Sequence, residues 1–217
     1  SSLANHQPEA MDMVLKENQY QPLTPNARIE GSLLKWDAVE NIDSYIIIMD
    51  GKDWKTLPST TLTHHLDSDG KYTVVAKGTK GWRSYMSEPL SYYQEVKTYT
   101  VNRKISRREN IIITIPIEVA TSGLHAIDWR YANGNGPINT ENKCATRVLT
   151  VVGQVAGVSV FPHRGTDEWK NWGWSNATII NLNKGKHIVT LEFCDTVENM
   201  NIHVNEALLD QMRVTKL

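Results

Sequence analysis

The chain has 217 residues, 40% of them hydrophobic and 22% charged, with a formal net charge of -1. This length suits one or two domains, and cores of about 90 and about 120 residues can each stabilise a fold by burial alone, so disulfides are not required. The near-zero charge excludes a global field toward nucleic acid or anionic lipid, and no apolar run approaches the roughly 18 residues that span a bilayer.

The first residues, Ser1-Ser2-Leu3-Ala4-Asn5-His6, lack the basic and apolar parts of a signal peptide and read as the cut end of a processed or longer protein. Met11, Val14 and Leu15 have helical spacing, so a short helix is expected over Glu9–Asn18. Pro22 and Pro25 make 19–26 an extended linker. From there the pattern is short strands between turn residues. Leu33–Trp36 and Asp43–Met49 lead to Asp50-Gly51, a strong hairpin signal. Thr61–His64 precedes Asp69-Gly70, and Lys71–Lys77 follows. Regular spacing of this kind predicts a sandwich.

The second half begins near 93. Ile111–Ile117 is rich in β-branched residues, and Pro116 places that strand at an edge or near its own end. His125, Ile127, Trp129 and Tyr131 alternate with Ala126, Asp128 and Arg130, which puts the rings on one face and the charges on the other. Arg147–Val152 and Ala177–Leu182 are further strands. Beyond the turn at Asn183–Lys186, His187, Val189, Leu191 and Phe193 alternate again, and Leu208–Val214 closes the chain. The basic run Arg103–Arg108 has no interleaved aromatics and reads as a solvated loop or hairpin tip. For Cys144 and Cys194 both a disulfide and two buried thiols fit the sequence. His125 and His187 lack ligand partners at metal-binding spacing.

With Trp36, Tyr45, Tyr72 and the exit Ser87-Glu88-Pro89-Leu90, the segment 26–92 resembles a fibronectin type III domain; other immunoglobulin-like sandwiches satisfy the same residues. Tyr72 is the expected corner tyrosine. In the second half the carrying strings are Arg130–Gly134, Cys144–Arg147, Trp169–Gly173, Lys184–His187, Asn199–Asn201 and Leu209-Asp210. In this order they resemble family 35 and family 6 carbohydrate-binding modules, which are galactose-binding-like jelly rolls. The whole also resembles the C-terminal region of bacterial six-hairpin glycosidases. The expected organisation is therefore all-β, with a segment 1–25, a fibronectin type III-like or immunoglobulin-like sandwich 26–92, and a jelly roll 93–217.

The resemblance implies a ligand site among loops at one end of the second sandwich. There Trp169 or Trp172 would supply an aromatic platform and Asn201 an amide, with Tyr131 and Asn133 as further candidates. A ring desolvates the apolar face of a pyranose, and amides meet its hydroxyls. It also implies a structural calcium between Glu95 and Asp210, for which six or more oxygens are needed. No pair of carboxylates, nucleophile elbow or phosphate loop is visible, so no catalytic residue is expected. The implied function is glycan binding on behalf of a parent glycosidase, outside the cell, at its surface or in the periplasm. Its partners would be an oligo- or polysaccharide and the catalytic domain, with no nucleic acid and no membrane insertion. The alternative is a structural or interaction appendage of a glycosidase that binds no sugar.

Overall fold

The computed structural model describes residues 21–136, 144–197 and 204–217. The helix expected over Glu9–Asn18, and Asn201, lie outside the described residues. The chain divides into two compact units, Ser1–Gln94 and Glu95–Leu217. Both are built from antiparallel sheets, and the described residues form no α-helix.

Unit 1 contains β1 (Ala27–Glu30), β2 (Leu33–Trp36), β3 (Ile42–Met49), β4 (Lys52–Pro58), β5 (Thr63–His65), β6 (Gly70–Gly78) and β7 (Leu90–Tyr92). One sheet has the order β1-β2-β5 and the other β4-β3-β6-β7. Asp50 and Gly51 both have positive φ, 49° and 81°, the geometry that joins two strands of matching twist. Trp36, Tyr45, Ile47, Leu66, Tyr72 and Val74 fill the core. The Trp36 and Tyr45 rings meet edge-on at 5.4 Å. The Tyr72 hydroxyl donates to Ser68 O at 2.7 Å, four residues upstream, as a corner tyrosine does. Ser84 and Ser87 continue the pairing along β6 without a regular strand. Their backbone N–H groups donate to Ala76 O and Val74 O, and their hydroxyls accept from Ala76 N and Val74 N.

Unit 2 contains β8 (Val96–Ile105), β9 (Ile113–Val119), β10 (Gly123–Ala132), β11 (Ala145–Val151), β12 (Gln154–Phe161), β13 (Gly173–Trp174), β14 (Thr178–Leu182), β15 (Gly185–Glu192) and β16 (Ala207–Lys216), with one 3-10 turn at Asp195–Val197. One sheet runs β13-β10-β16-β8, with β14 also paired to β10, and the other runs β12-β11-β15-β9. The alternation in β10 holds: Ile127, Trp129 and Tyr131 enter the core while Arg130 turns outward. Pro116 lies in β9, an edge strand, as its missing N–H requires. The basic run is not a single loop. Arg103 and Lys104 belong to β8 and pair with Leu209 and Leu208, because the alternation that buries Ile105 carries the strand through them. Cys144 and Cys194 are both thiols, and burial pushes the Cys144 thiol above its ordinary range.

Candidate functional site

β10, β12 and β15 end, and β11 and β16 begin, at the same end of unit 2. The Tyr131 and Phe161 rings touch there across the two sheets at 5.3 Å, and Thr146 N donates to Asn205 Oδ1 at 3.0 Å. The segment 162–172 leaves β12 at this end and folds onto the start of the segment after β10. Arg164 N donates to Asn133 O and Asp167 N to Gly134 O, both at 2.8 Å. A side chain at 134 would sit 2.9 Å from Glu168 N and the Trp169 ring, so only glycine lets the two segments close. Arg164 pins the loop from within. Its Nε donates to Asn171 O at 2.8 Å, while Asn171 Nδ2 donates to Arg164 O at 2.6 Å. Gly173 leaves the space that the guanidinium occupies: a Cβ there would fall 2.2 Å from it.

This loop delivers Trp169 and Trp172, both partly buried, and runs into β13 with Trp174 at 37% exposure. The two rings 172 and 174 share an arrangement. The Arg130 guanidinium lies over Trp172 at 5.1 Å and is ion-paired to Asp210, which also accepts from Gln211 Nε2 at 3.1 Å. The Arg213 guanidinium lies over Trp174 at 3.7 Å and donates from Nε to Asp128 Oδ1 at 2.9 Å. Each tryptophan thus rests on a cation that is itself held by a carboxylate on the β10–β16 face. A ring held in this way stays at the surface in a fixed pose, so it meets a flat apolar partner at little entropic cost.

The other candidate residues stand deeper. Tyr131 is 2% exposed, and its hydroxyl donates to Pro162 O at 3.0 Å. Burial pushes its phenol above the ordinary range, with the nearby Arg164 opposing the shift. Asn133 is 0% exposed, donates to Phe161 O at 3.0 Å and accepts from the Asn135 backbone and amide. Both residues support the loop from beneath, and their polar atoms face protein groups rather than the surface. Alternation in β10 explains this for Tyr131, which shares a face with Trp129. Arg130, Arg164, Arg213 and Asp128 were not singled out from sequence. The available signal was charge on the outward positions of two strands close to three tryptophans.

The residues expected to share calcium do not fit it. Asp210 is engaged by Arg130, whereas Glu95 accepts from Thr121 Oγ1 at 2.6 Å and its carbonyl pairs with Lys216 N. Lys216 lies six residues beyond Asp210 along β16, about 20 Å at the rise of a strand. The sequence pairing failed because Glu95 precedes β8 and reaches the wrong end of its neighbour. Among the described residues no three His, Cys, Asp or Glu side chains converge as a metal site.

No protein-family model and no curated protein matches the chain. Solved structures similar to it include CBM35 from Cellvibrio japonicus Abf62, at 23% identity and a TM-score of 0.36, with 49% of this chain and 66% of that one covered. The chain therefore spans just under two thirds of that structure. A family 35 carbohydrate binding module from Clostridium thermocellum is 19% identical with a TM-score of 0.38, covering 56% of this chain and 92% of that one. A cycloisomaltooligosaccharide glucanotransferase from Paenibacillus sp. is 18% identical with a TM-score of 0.41, covering 59% of this chain and 19% of that one.

Proposed function

We propose that unit 2 is a non-catalytic carbohydrate-binding module whose ligand lies against the tryptophans of the 169–174 segment. One observation carries this reading: Trp172 and Trp174 each rest on an arginine that an aspartate holds, at an accessible end and face of the sandwich. Preset aromatic rings beside amides such as Asn171 suit the apolar face and hydroxyl rim of a sugar. The sequence resemblance to family 35 and family 6 modules supports the same reading.

Under this proposal unit 1 is a fibronectin type III-like spacer, supported by its sheets of three and four strands and by the Tyr72–Ser68 corner. The pair would serve a secreted glycoside hydrolase of the six-hairpin type, delivering its catalytic domain to an oligo- or polysaccharide. Among the described residues no helix is long and apolar enough to cross a membrane. A second reading has support in unit 1. Trp82, Tyr85 and Met86 are 45%, 74% and 58% exposed within five residues, which favours a contact with another domain of the same protein.

Calorimetric titration of the full chain with a panel of plant, host and bacterial oligosaccharides tests the first reading. Binding by at least one glycan is expected, weakened tenfold or more by Trp172→Ala or Trp169→Ala while thermal unfolding is unchanged. A folded chain that binds nothing across the panel leaves the appendage reading in its place.

A further inference from the structure

Unit 2 has a second concave region, at the opposite end from the tryptophan loop. β8 and β9 are the outer strands of the two sheets. Where β8 begins, β9 ends and β15 begins, two hollows of about 440 Å³ each adjoin, with Lys97 and Glu118 in the wall of both. Lys186 sits at the start of β15, and Glu192, where that strand reaches the loop end, is six residues or about 20 Å away.

The lining has two parts. Tyr99, Pro116, Val152 and Ile188 supply apolar surface, with Val152 67% and Ile188 47% exposed. Lys97, Lys184 and Lys186 supply three exposed ammonium groups. Among the described residues none of the three lysines has a carboxylate within ion-pair distance, although Glu118 is the register partner of Lys186. Lys97 instead lies over the Tyr99 ring at 5.3 Å. The neighbouring polar groups are already engaged. His187 Nε2 donates to Asn183 O, Tyr99 Oη accepts from Glu118 N, and Glu95 accepts from Thr121. Three uncompensated cations beside an aromatic ring and an apolar wall favour an anionic ligand with apolar faces. The cations are spread over both hollows rather than focused on one point, which suits a linear ligand with spaced charges better than a single phosphate. Glu118 between them accepts from hydroxyls and disfavours a ligand charged at every position.

We infer that this trough is a second glycan site, which takes a strand of acidic polysaccharide. Its carboxylate or sulfate groups meet Lys97, Lys184 and Lys186, and a sugar face lies along Tyr99 and Ile188. The site is independent of the tryptophan loop, so either assignment stands if the other fails.

The test is titration of the full chain with hexagalacturonate, a heparin-derived hexasaccharide, a neutral hexasaccharide and deca-glutamate at 50 and 200 mM salt. Lys97→Gln/Lys184→Gln/Lys186→Gln, the matching triple arginine variant and Trp172→Ala run in parallel. One or both acidic sugars bind, more weakly at the higher salt because exposed charges are screened. The glutamine variant loses tenfold or more, the arginine variant binds as the native chain does, and in Trp172→Ala the acidic sugar still shifts the Lys97, Glu118 and Lys186 amides. Preference for hexagalacturonate assigns carboxylate recognition, and preference for the heparin fragment assigns sulfate. Amide shifts at Lys97, Glu118 and Lys186 in the native chain give a readout that needs no variant to fold. The proposal is overturned if neither acidic sugar binds, if those amides stay unmoved, or if binding survives the triple glutamine change. Loss of those amide shifts in Trp172→Ala, or tighter binding of deca-glutamate than of both sugars, also overturns it.

Discussion

Trp36 in unit 1 is buried edge-on against Tyr45, whereas the half-buried Trp54 meets His64, Tyr72 and, at 4.7 Å, the Lys55 ammonium. Trp172 and Trp174 in unit 2 meet guanidinium groups instead, each tied to an aspartate. The same side chain therefore has two fates, set by its neighbours. Against apolar rings its area is removed from water and stabilises the fold. Against a carboxylate-held arginine it is oriented but left accessible, which is the condition for binding something else. Unit 2 contains both cases, since Trp129 is 0% exposed on β10.

The sharpest way to break this contrast is to delete one ring from each class. Trp36→Ala should cost unit 1 about 3–5 kcal/mol, the usual range for truncating a core aromatic, and leave glycan binding by unit 2 intact. Denaturant melts and titration of the same sample check both parts. Trp172→Ala should do the reverse, lowering glycan affinity tenfold or more with no change in unfolding. Equal destabilisation by the two changes would erase the distinction.

Smaller effects probe what holds the surface rings. Asp210→Asn removes the charge that fixes Arg130, whose side chain is 35% exposed, so a stability loss of about 1 kcal/mol is expected. Glycan affinity should fall severalfold as Trp172 loses its fixed support. Because Arg130 rather than a metal satisfies Asp210, a chelator should leave the melting temperature of the native chain unchanged; a drop of several degrees would contradict that assignment. The smallest effect belongs to unit 1. Burial of His64, with help from Lys55, lowers its pKa below the ordinary 6.5. The unfolded chain then binds the proton more readily than the folded one. Unit 1 should lose stability as pH falls below about 6.5, and His64→Gln should flatten the slope between pH 7.5 and 5.

The fold was legible wherever period-two alternation met a turn signal. β3 with Asp50-Gly51 and the β10 alternation are such cases. β1, β4, β8 and β12 were among the strands missed. Lys52–Pro58 alternates charged residues with few large apolar ones, and Gln154–Phe161 is exposed or half-buried along most of its length. Of the binding candidates, sequence pointed to the segment that presents Trp169 and Trp172. It did not pair the arginines with the rings, because Arg130 and Arg213 lie 42 and 39 residues from the tryptophans they support and meet them only through strand pairing. Tyr131 and Asn133 carry suitable chemistry, yet inward alternation and the Phe161 carbonyl take them out of reach.

The most direct measurement is an indole N–H spectrum of the isotope-labelled full chain during titration with the best glycan from the panel. Shifts are expected for Trp172 and Trp174, with Trp36, Trp54 and Trp129 unmoved. Shifts confined to the core tryptophans, or none at saturating glycan, would contradict the claim that the arginine-held rings form the sugar platform.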